Sequence, residues 1–204
     1  MSFFLGLDSV ARSNIQGTNL AEEHAIVLAV RASDVRVFAQ LFRGYYHDLH
    51  RYARAMTLSA EIAVEVVDDV FAALWERRAE WAPASTIRAY LYRAVRNRAL
   101  NAIIAAKSAT RVETLAALEV NPIAMSQEPA APDQAFASNE TEMAVWAAVD
   151  ALSQEARMVV ALRWQAELSW AEVSEVTGLS IDAARMKHTR ALRLLKERLM
   201  GLLS

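Results

Sequence analysis

Between residues 169 and 190 the chain carries helix-start and helix-stop signals at a spacing that leaves little freedom of fold. Ser169-Trp-Ala-Glu172 fits the S-x-x-E capping box: the serine hydroxyl accepts from the backbone N–H of Glu172 while the glutamate reaches back to the cap. A short helix runs on to Thr177, and Gly178 supplies the left-handed residue that ends it. Ser180 then caps a second helix whose first turns carry Arg185, Lys187, His188 and Arg190. A capped short helix, a tight turn and a basic second helix is the arrangement that seats side chains in a DNA major groove. Ala184, Ala191, Leu192 and Leu195 fall where they can pack inward. Basic amphipathic helices are common in helical domains; the order of the signals, with the basic helix last, points to DNA.

The rest of the chain reads as helix as well. From Leu20 to about Ala106 apolar residues recur at helical spacing. The first segment, Leu20 to Ala32, stops at Ser33-Asp34, which can cap the next. That second helix sets Val37, Phe38, Leu41, Phe42, Tyr45, Leu49 and Tyr52 in one stripe. A third, Ile62 to Glu80, turns Val66, Val70, Leu74 and Trp75 toward a core. Pro83 enforces a break, after which a fourth helix, Thr86 to Ala106, carries Ile87, Leu91, Val95 and Leu100. Period then lapses: Pro122, Pro129 and Pro132 fall among Ala, Ser, Gln and Asn, with a helical turn near Glu113 to Leu118. Helix resumes near Glu140 with Met143, Trp146, Val149 and Leu152 on one face, and Ser153 caps a further helix to Gln165. No strand alternation persists. The expected fold is all-α, two helical domains joined by a flexible acidic linker. The boundaries are an extension over 1–19, a first lobe over 20–107, a linker over 108–138 and a second lobe over 139–204.

Composition narrows the class of function. With 54% hydrophobic residues, 5 Gly and 4 Pro among 204, the chain can bury a core in each lobe. The absence of cysteine excludes disulfides, thiolate metal sites and a cysteine nucleophile, and suits the cytoplasm. The apolar start lacks a basic flank and is too short for a signal peptide or a membrane span, so no membrane insertion is expected. A net charge of −2 argues against a nonspecific DNA coat, but the distribution is uneven. Arg185, Lys187, Arg190, Arg193, Lys196 and Arg198 face only Glu197, while Glu113, Glu119, Glu128, Asp133, Glu140 and Glu142 cluster in the middle.

Two further stretches carry chemistry. In Tyr90-Leu-Tyr-Arg-Ala-Val-Arg-Asn-Arg-Ala-Leu-Asn101, Arg93, Arg96, Asn97 and Asn101 share a helix face, with Tyr90 beside the proline-containing loop. Aromatic, guanidinium and amide groups together suit unstacked bases and a phosphate backbone; a solvated basic face is the plainer alternative. In Glu65-Val-Val-Asp-Asp-Val-Phe-Ala-Ala-Leu-Trp75, carboxylates cluster on the outer face while Val66, Val70 and Leu74 pack. Paired carboxylates can hold metal or work as acid and base, but no second cluster or histidine stands at matching spacing, and a docking surface for a basic partner fits better. His24, His47, His50 and His188 form no ligand pattern, and no phosphate loop or nucleophile elbow is present. No enzyme, metal or cofactor is expected.

In this order the segments resemble a bacterial sigma factor of the small, two-domain extracytoplasmic-function group, from about Ala32 to Leu199. Asp34-x-x-Val-Phe38 through Tyr45 and Tyr52 is similar to the opening of sigma domain 2, and Leu152-Ser-x-Glu-x-Arg157 onward to domain 4. The resemblance implies that Asp68, Asp69, Phe71 and Trp75, assisted by Glu65, bind the clamp helices of core RNA polymerase, with the flap as a further docking point. It implies that Tyr90, Arg93, Asn97 and Asn101 engage the opened minus-ten element, the Trp81-to-Thr86 loop capturing a flipped base. Arg185, Met186, Lys187 and Arg190 would enter the minus-thirty-five groove. An acidic linker would thread the channel later filled by RNA, and an anti-sigma factor is an expected partner. Two weak DNA grips joined through a large enzyme gain strength by effective concentration.

The chain departs from the family pattern in places. Ile103-Ile-Ala-Ala-Lys107 leaves one cation where relatives carry an Arg-rich cluster, and Asp182-Ala183 replaces the usual Gly-Thr. Trp170 and Met186 are also atypical. A stand-alone helix-turn-helix regulator with a sensory or dimerising first lobe is the alternative from the residues, and a helical protein adaptor is a second.

Overall fold

The computed structural model describes residues 20–118, 148, 149 and 151–202. Among them stand seven α-helices, one 3-10 helix and no strand. The 1–19 extension, the proline-containing part of the linker, Met143 and Trp146 lie outside the described residues.

The first lobe is built from α1 (Leu20–Arg31), α2 (Val35–Thr57), α3 (Ala60–Glu76) and α4 (Ile87–Leu118). Asp34 caps α2 as expected, its carboxylate accepting from the backbone N–H of Arg36 and Val37 at 2.9 and 3.2 Å. Leu58, at φ 60°, ends that helix in the left-handed region, and Ser59 caps α3 by accepting from Ile62 N–H at 3.2 Å. The stripe of α2 is buried along Leu41, Tyr45, Leu49 and Tyr52, against Val66, Val70 and Leu74 of α3 and Ile87, Leu91 and Val95 of α4. Tyr52 and Tyr92 meet edge-on at 5.2 Å, a pairing worth about 0.5–1.5 kcal/mol beyond the area buried.

The 3-10 helix Arg78–Glu80 and the Pro83 loop turn the chain from α3 into α4. That corner is held from several sides. Arg31 donates to the Ala79 carbonyl at 3.1 Å and Arg78 to the Ser33 hydroxyl at 2.8 Å. The first turn of α4 is satisfied by Thr86 Oγ1, accepting from Ala89 N–H at 3.1 Å, and by Glu23 of α1, accepting from Ile87 N–H at 3.1 Å. The second cap comes from a distant element, filling donors that a helix start leaves unpaired. Helix α4 also runs on to Leu118, past the expected end at Ala106. Between those residues there is no glycine or proline, and alanine recurs, so nothing in that stretch stops the helix.

The second lobe holds α5 (Gln154–Trp164), α6 (Trp170–Thr177) and α7 (Ile181–Leu202). Every punctuation signal is in place: Ser153 accepts from Ala156 N–H, Ser169 and Glu172 form the reciprocal capping box, and Gly178 sits at φ 74°. Ser180 accepts from Ala183 N–H at 3.2 Å. Leu152, Val160, Ala191 and Leu195 make a small core with Ala148.

The sequence reads as two separate lobes, yet the structure packs them on one another. Met158, Val159, Ala161, Leu162, Leu168, Val173 and Val176 share one apolar core with the first lobe. The cause lies in α5, where Met158 to Leu162 are all buried; a helix apolar around its circumference must be covered on more than one side. Arg157, 7% exposed, crosses the junction to donate to the Ala55 carbonyl at 2.9 Å and turns back to that of Leu152 at 3.0 Å.

Candidate functional site

Three surfaces carry the residues singled out in the sequence. On α3, Glu65, Asp68 and Asp69 are exposed and acidic. Trp75 is half-buried, packed on Phe38 at 4.7 Å and covered by the Arg78 guanidinium at 4.4 Å. Phe71 is in the core rather than on the outer face: it is 3% exposed, between Phe38 and Phe42 with ring centroids 6.1 and 4.9 Å away. It therefore shapes the acidic face from beneath. Burial, then the charge of Asp68 and a hydrogen bond to it, raise the Tyr46 hydroxyl above its ordinary pKa.

Asp69 links this face to the next. It pairs with Arg98 of α4 at 3.1 Å, and both line a cleft of about 450 Å³ between α3, the Trp81 corner and α4. Tyr90, Asn97 and Asn101 line the same cleft. At its wall Trp81 is 5% exposed, meets Tyr90 edge-on at 5.9 Å, and has an indole N–H with no partner. An aromatic wall and two exposed amides, which carry donors and acceptors, suit the face and edge of a nucleobase. Helical spacing grouped Asn97 and Asn101 with Arg93 and Arg96 and set Tyr90 beside the loop; Tyr90 and the two asparagines line the cleft with Trp81, and neither of those arginines does.

Arg93 lies apart from the cleft, directed at the other lobe, where Glu175 of α6 stands 3.7 Å away. Glu175 also accepts from the Ser85 hydroxyl. Beside it, Glu172 accepts from Thr86 Oγ1 at 3.1 Å and from Arg88, whose one nitrogen reaches both carboxylate oxygens at 3.2 Å. Burial works against the Glu172 charge, but hydrogen bonds from Ser169 and the Arg88 guanidinium outweigh it and hold the carboxyl below the usual range. The loop and Arg93 are thus engaged by α6. Sequence reasoning missed Ser85, Arg88 and Glu175 and saw Glu172 only as a cap; a capping box and an interdomain ion pair use the same residue, and only the first has a local signature.

On α7, Arg185, Met186 and Arg190 are exposed along one side. Lys187 is drawn the other way, pairing with Glu155 of α5 at 2.5 Å. Among the described residues no group of three or more His, Asp or Glu could hold a metal ion, and no helix is long and apolar enough to cross a membrane.

Two family models match this chain: Sigma-70 region 2 over residues 41–108, and Sigma-70 region 4 over residues 148–197. The first spans most of α2 through the cleft; the second spans the helix-turn-helix. Among solved structures, CnrH in complex with the cytosolic domain of CnrY is similar at 22% identity and a TM-score of 0.57, covering 89% of this chain and 96% of that one. The sigma factor RpoE in complex with the anti-sigma factor NepR, from Bartonella quintana, is similar at 18% identity and a TM-score of 0.57, covering 81% and 98%. No curated protein matches. The chain belongs to the sigma-70 family, whose region 2 and region 4 together span more than half of it. It is a sigma factor, binding core RNA polymerase and directing it to promoters.

Proposed function

We propose that the labour is divided by surface. The acidic face of α3, with Glu65, Asp68, Asp69 and Trp75, docks on core polymerase, and Phe71 holds that face in shape. The cleft of Trp81, Tyr90, Asn97 and Asn101 takes an unstacked base of the minus-ten element, and Arg93 follows the backbone. Arg185, Met186 and Arg190 enter the minus-thirty-five groove, and Lys187 serves from its place beside Glu155. The boundaries at 20–107 and 139–204 mark the two functional units, with the intervening residues lying in the polymerase channel.

The observation that carries this reading is the cleft. Tyr90 and two amides of α4 line it beside the exposed acidic face of α3, and Asp69–Arg98 joins the two. Each stacked base contributes about 1–3 kcal/mol toward melting. The protein itself makes and breaks no covalent bond, and it acts where polymerase is, in the cytoplasm. CnrH and RpoE were each solved with a partner, CnrY and the anti-sigma factor NepR. By analogy of fold, this chain is held inactive by an anti-sigma protein. The packed lobes fit that picture, because Glu172 and Glu175 occupy the loop and Arg93 until a partner separates them.

Co-purification with core polymerase and run-off transcription test the division. Asp69→Lys is expected to abolish association with core. Asn97→Ala is expected to leave association intact and lower open-complex formation. Loss of core binding in both would overturn the assignment.

A further inference from the structure

The one aromatic side chain that sequence analysis marked as atypical and the function does not absorb is Trp170, the first residue of α6. Its half-buried indole is the meeting point of three basic side chains from two other helices. Arg163, in the last turn of α5, lies 4.6 Å from the ring centroid and donates to the Leu168 carbonyl, so it is committed to the protein. Arg185 of α7 lies 5.8 Å from the same ring and is exposed. His188, one turn further along α7, meets the ring edge-on at 5.4 Å with a buried Nε2 that has no partner. Burial, and then the neighbouring Arg163 charge, lower the His188 pKa.

We propose that Trp170 is a specificity-determining positioning residue: its indole restrains the Arg185 guanidinium before DNA arrives, and so sets which base pair of the minus-thirty-five element is read. A free arginine loses much rotamer entropy on ordering, and a guanidinium already resting against an aromatic ring has surrendered part of it. Preorganisation of this kind converts into affinity for the one geometry that fits. A neighbouring exposed arginine, Arg190, has no ring beside it among the described residues and suits phosphate contact, which carries no sequence information. The inference rests on the assignment of α7 to the minus-thirty-five groove.

The test uses holoenzyme assembled from core polymerase and the full chain, and a promoter library randomised over the minus-thirty-five element. Transcripts are sequenced for wild type, Arg185→Ala, Trp170→Ala, Trp170→Phe and the Trp170→Ala/Arg185→Ala double variant. Thermal melts and core association confirm that each variant is folded. Arg185→Ala should erase preference at a base pair. Trp170→Ala should weaken preference at that same base pair by about tenfold, the scale of one good base contact. Trp170→Phe, which keeps a ring face, should restore most of it, and the double variant should be no worse than Arg185→Ala alone. Trp170→Ala with unchanged preference, or a uniform drop at every position, would overturn the proposal while leaving the groove assignment standing. An Arg185→Ala profile identical to wild type would instead overturn that assignment.

Discussion

Phe71 and Asp69 are two positions apart in one motif and do different work. Phe71→Ala should cost about 3–5 kcal/mol in urea unfolding, because it empties the space between Phe38 and Phe42. Asp69→Asn should leave the unfolding midpoint within about 0.5 kcal/mol, as an exposed position does, and weaken core polymerase association. A pulldown on both variants separates lost surface from lost fold. His188 makes a second prediction at this scale. Its folded pKa lies below the ordinary 6.5, burial being the main cause. As pH falls below 6.5 the unfolded chain takes the proton first, so the folded state loses stability from there down to the lowered value. The urea midpoint of wild type should therefore fall faster between pH 7.5 and 5.5 than that of His188→Asn.

At the scale of elements, the helix-turn-helix was legible because each boundary is made by one local residue. Gly178 at φ 74° has open space where a Cβ would stand, so Gly178→Ala meets no clash and bears only the cost of the left-handed backbone. That cost is about 1–2 kcal/mol, and chemical denaturation should show it. Ser169→Ala should cost about 1 kcal/mol by leaving Glu172 N–H without its cap. Helix α4 was less legible at both ends. Its start uses Glu23, 64 residues away, and its extension to Leu118 reflects the absence of a breaker rather than any positive signal.

For the whole molecule, the contact between lobes rests on the shared apolar core and on Arg88–Glu172, whose side chains are 23% and 15% exposed. Arg93–Glu175 is more open, at 41% and 31%, and such a pair contributes about 0–1 kcal/mol. Arg88→Ala should therefore loosen the lobes by roughly 1.5–3 kcal/mol, the scale of a hydrogen bond to a charged group, and Glu175→Lys should push against Arg93. Scattering of the free protein should show a larger radius of gyration in the double variant, with α6 keeping its cap because Glu172 is untouched. An unchanged radius would mean that the apolar core, with Arg157 on the Ala55 carbonyl, suffices to hold the lobes.

What the sequence by itself determined is everything written in short-range code. Ser153, Ser169, Gly178 and Ser180 set helix boundaries through hydrogen bonds within a few residues, and the period of Leu41, Tyr45, Leu49 and Tyr52 turned one face of α2 inward. The tyrosine, arginine and asparagines of α4 fell on neighbouring faces for the same reason. Only the tertiary structure decided that Trp81 closes the cleft, that Phe71 is interior, that Arg93 faces Glu175 and that α5 is covered on two sides. Those outcomes depend on which distant surfaces meet, and contacts between residues 80 or 100 positions apart leave no periodic trace in either segment.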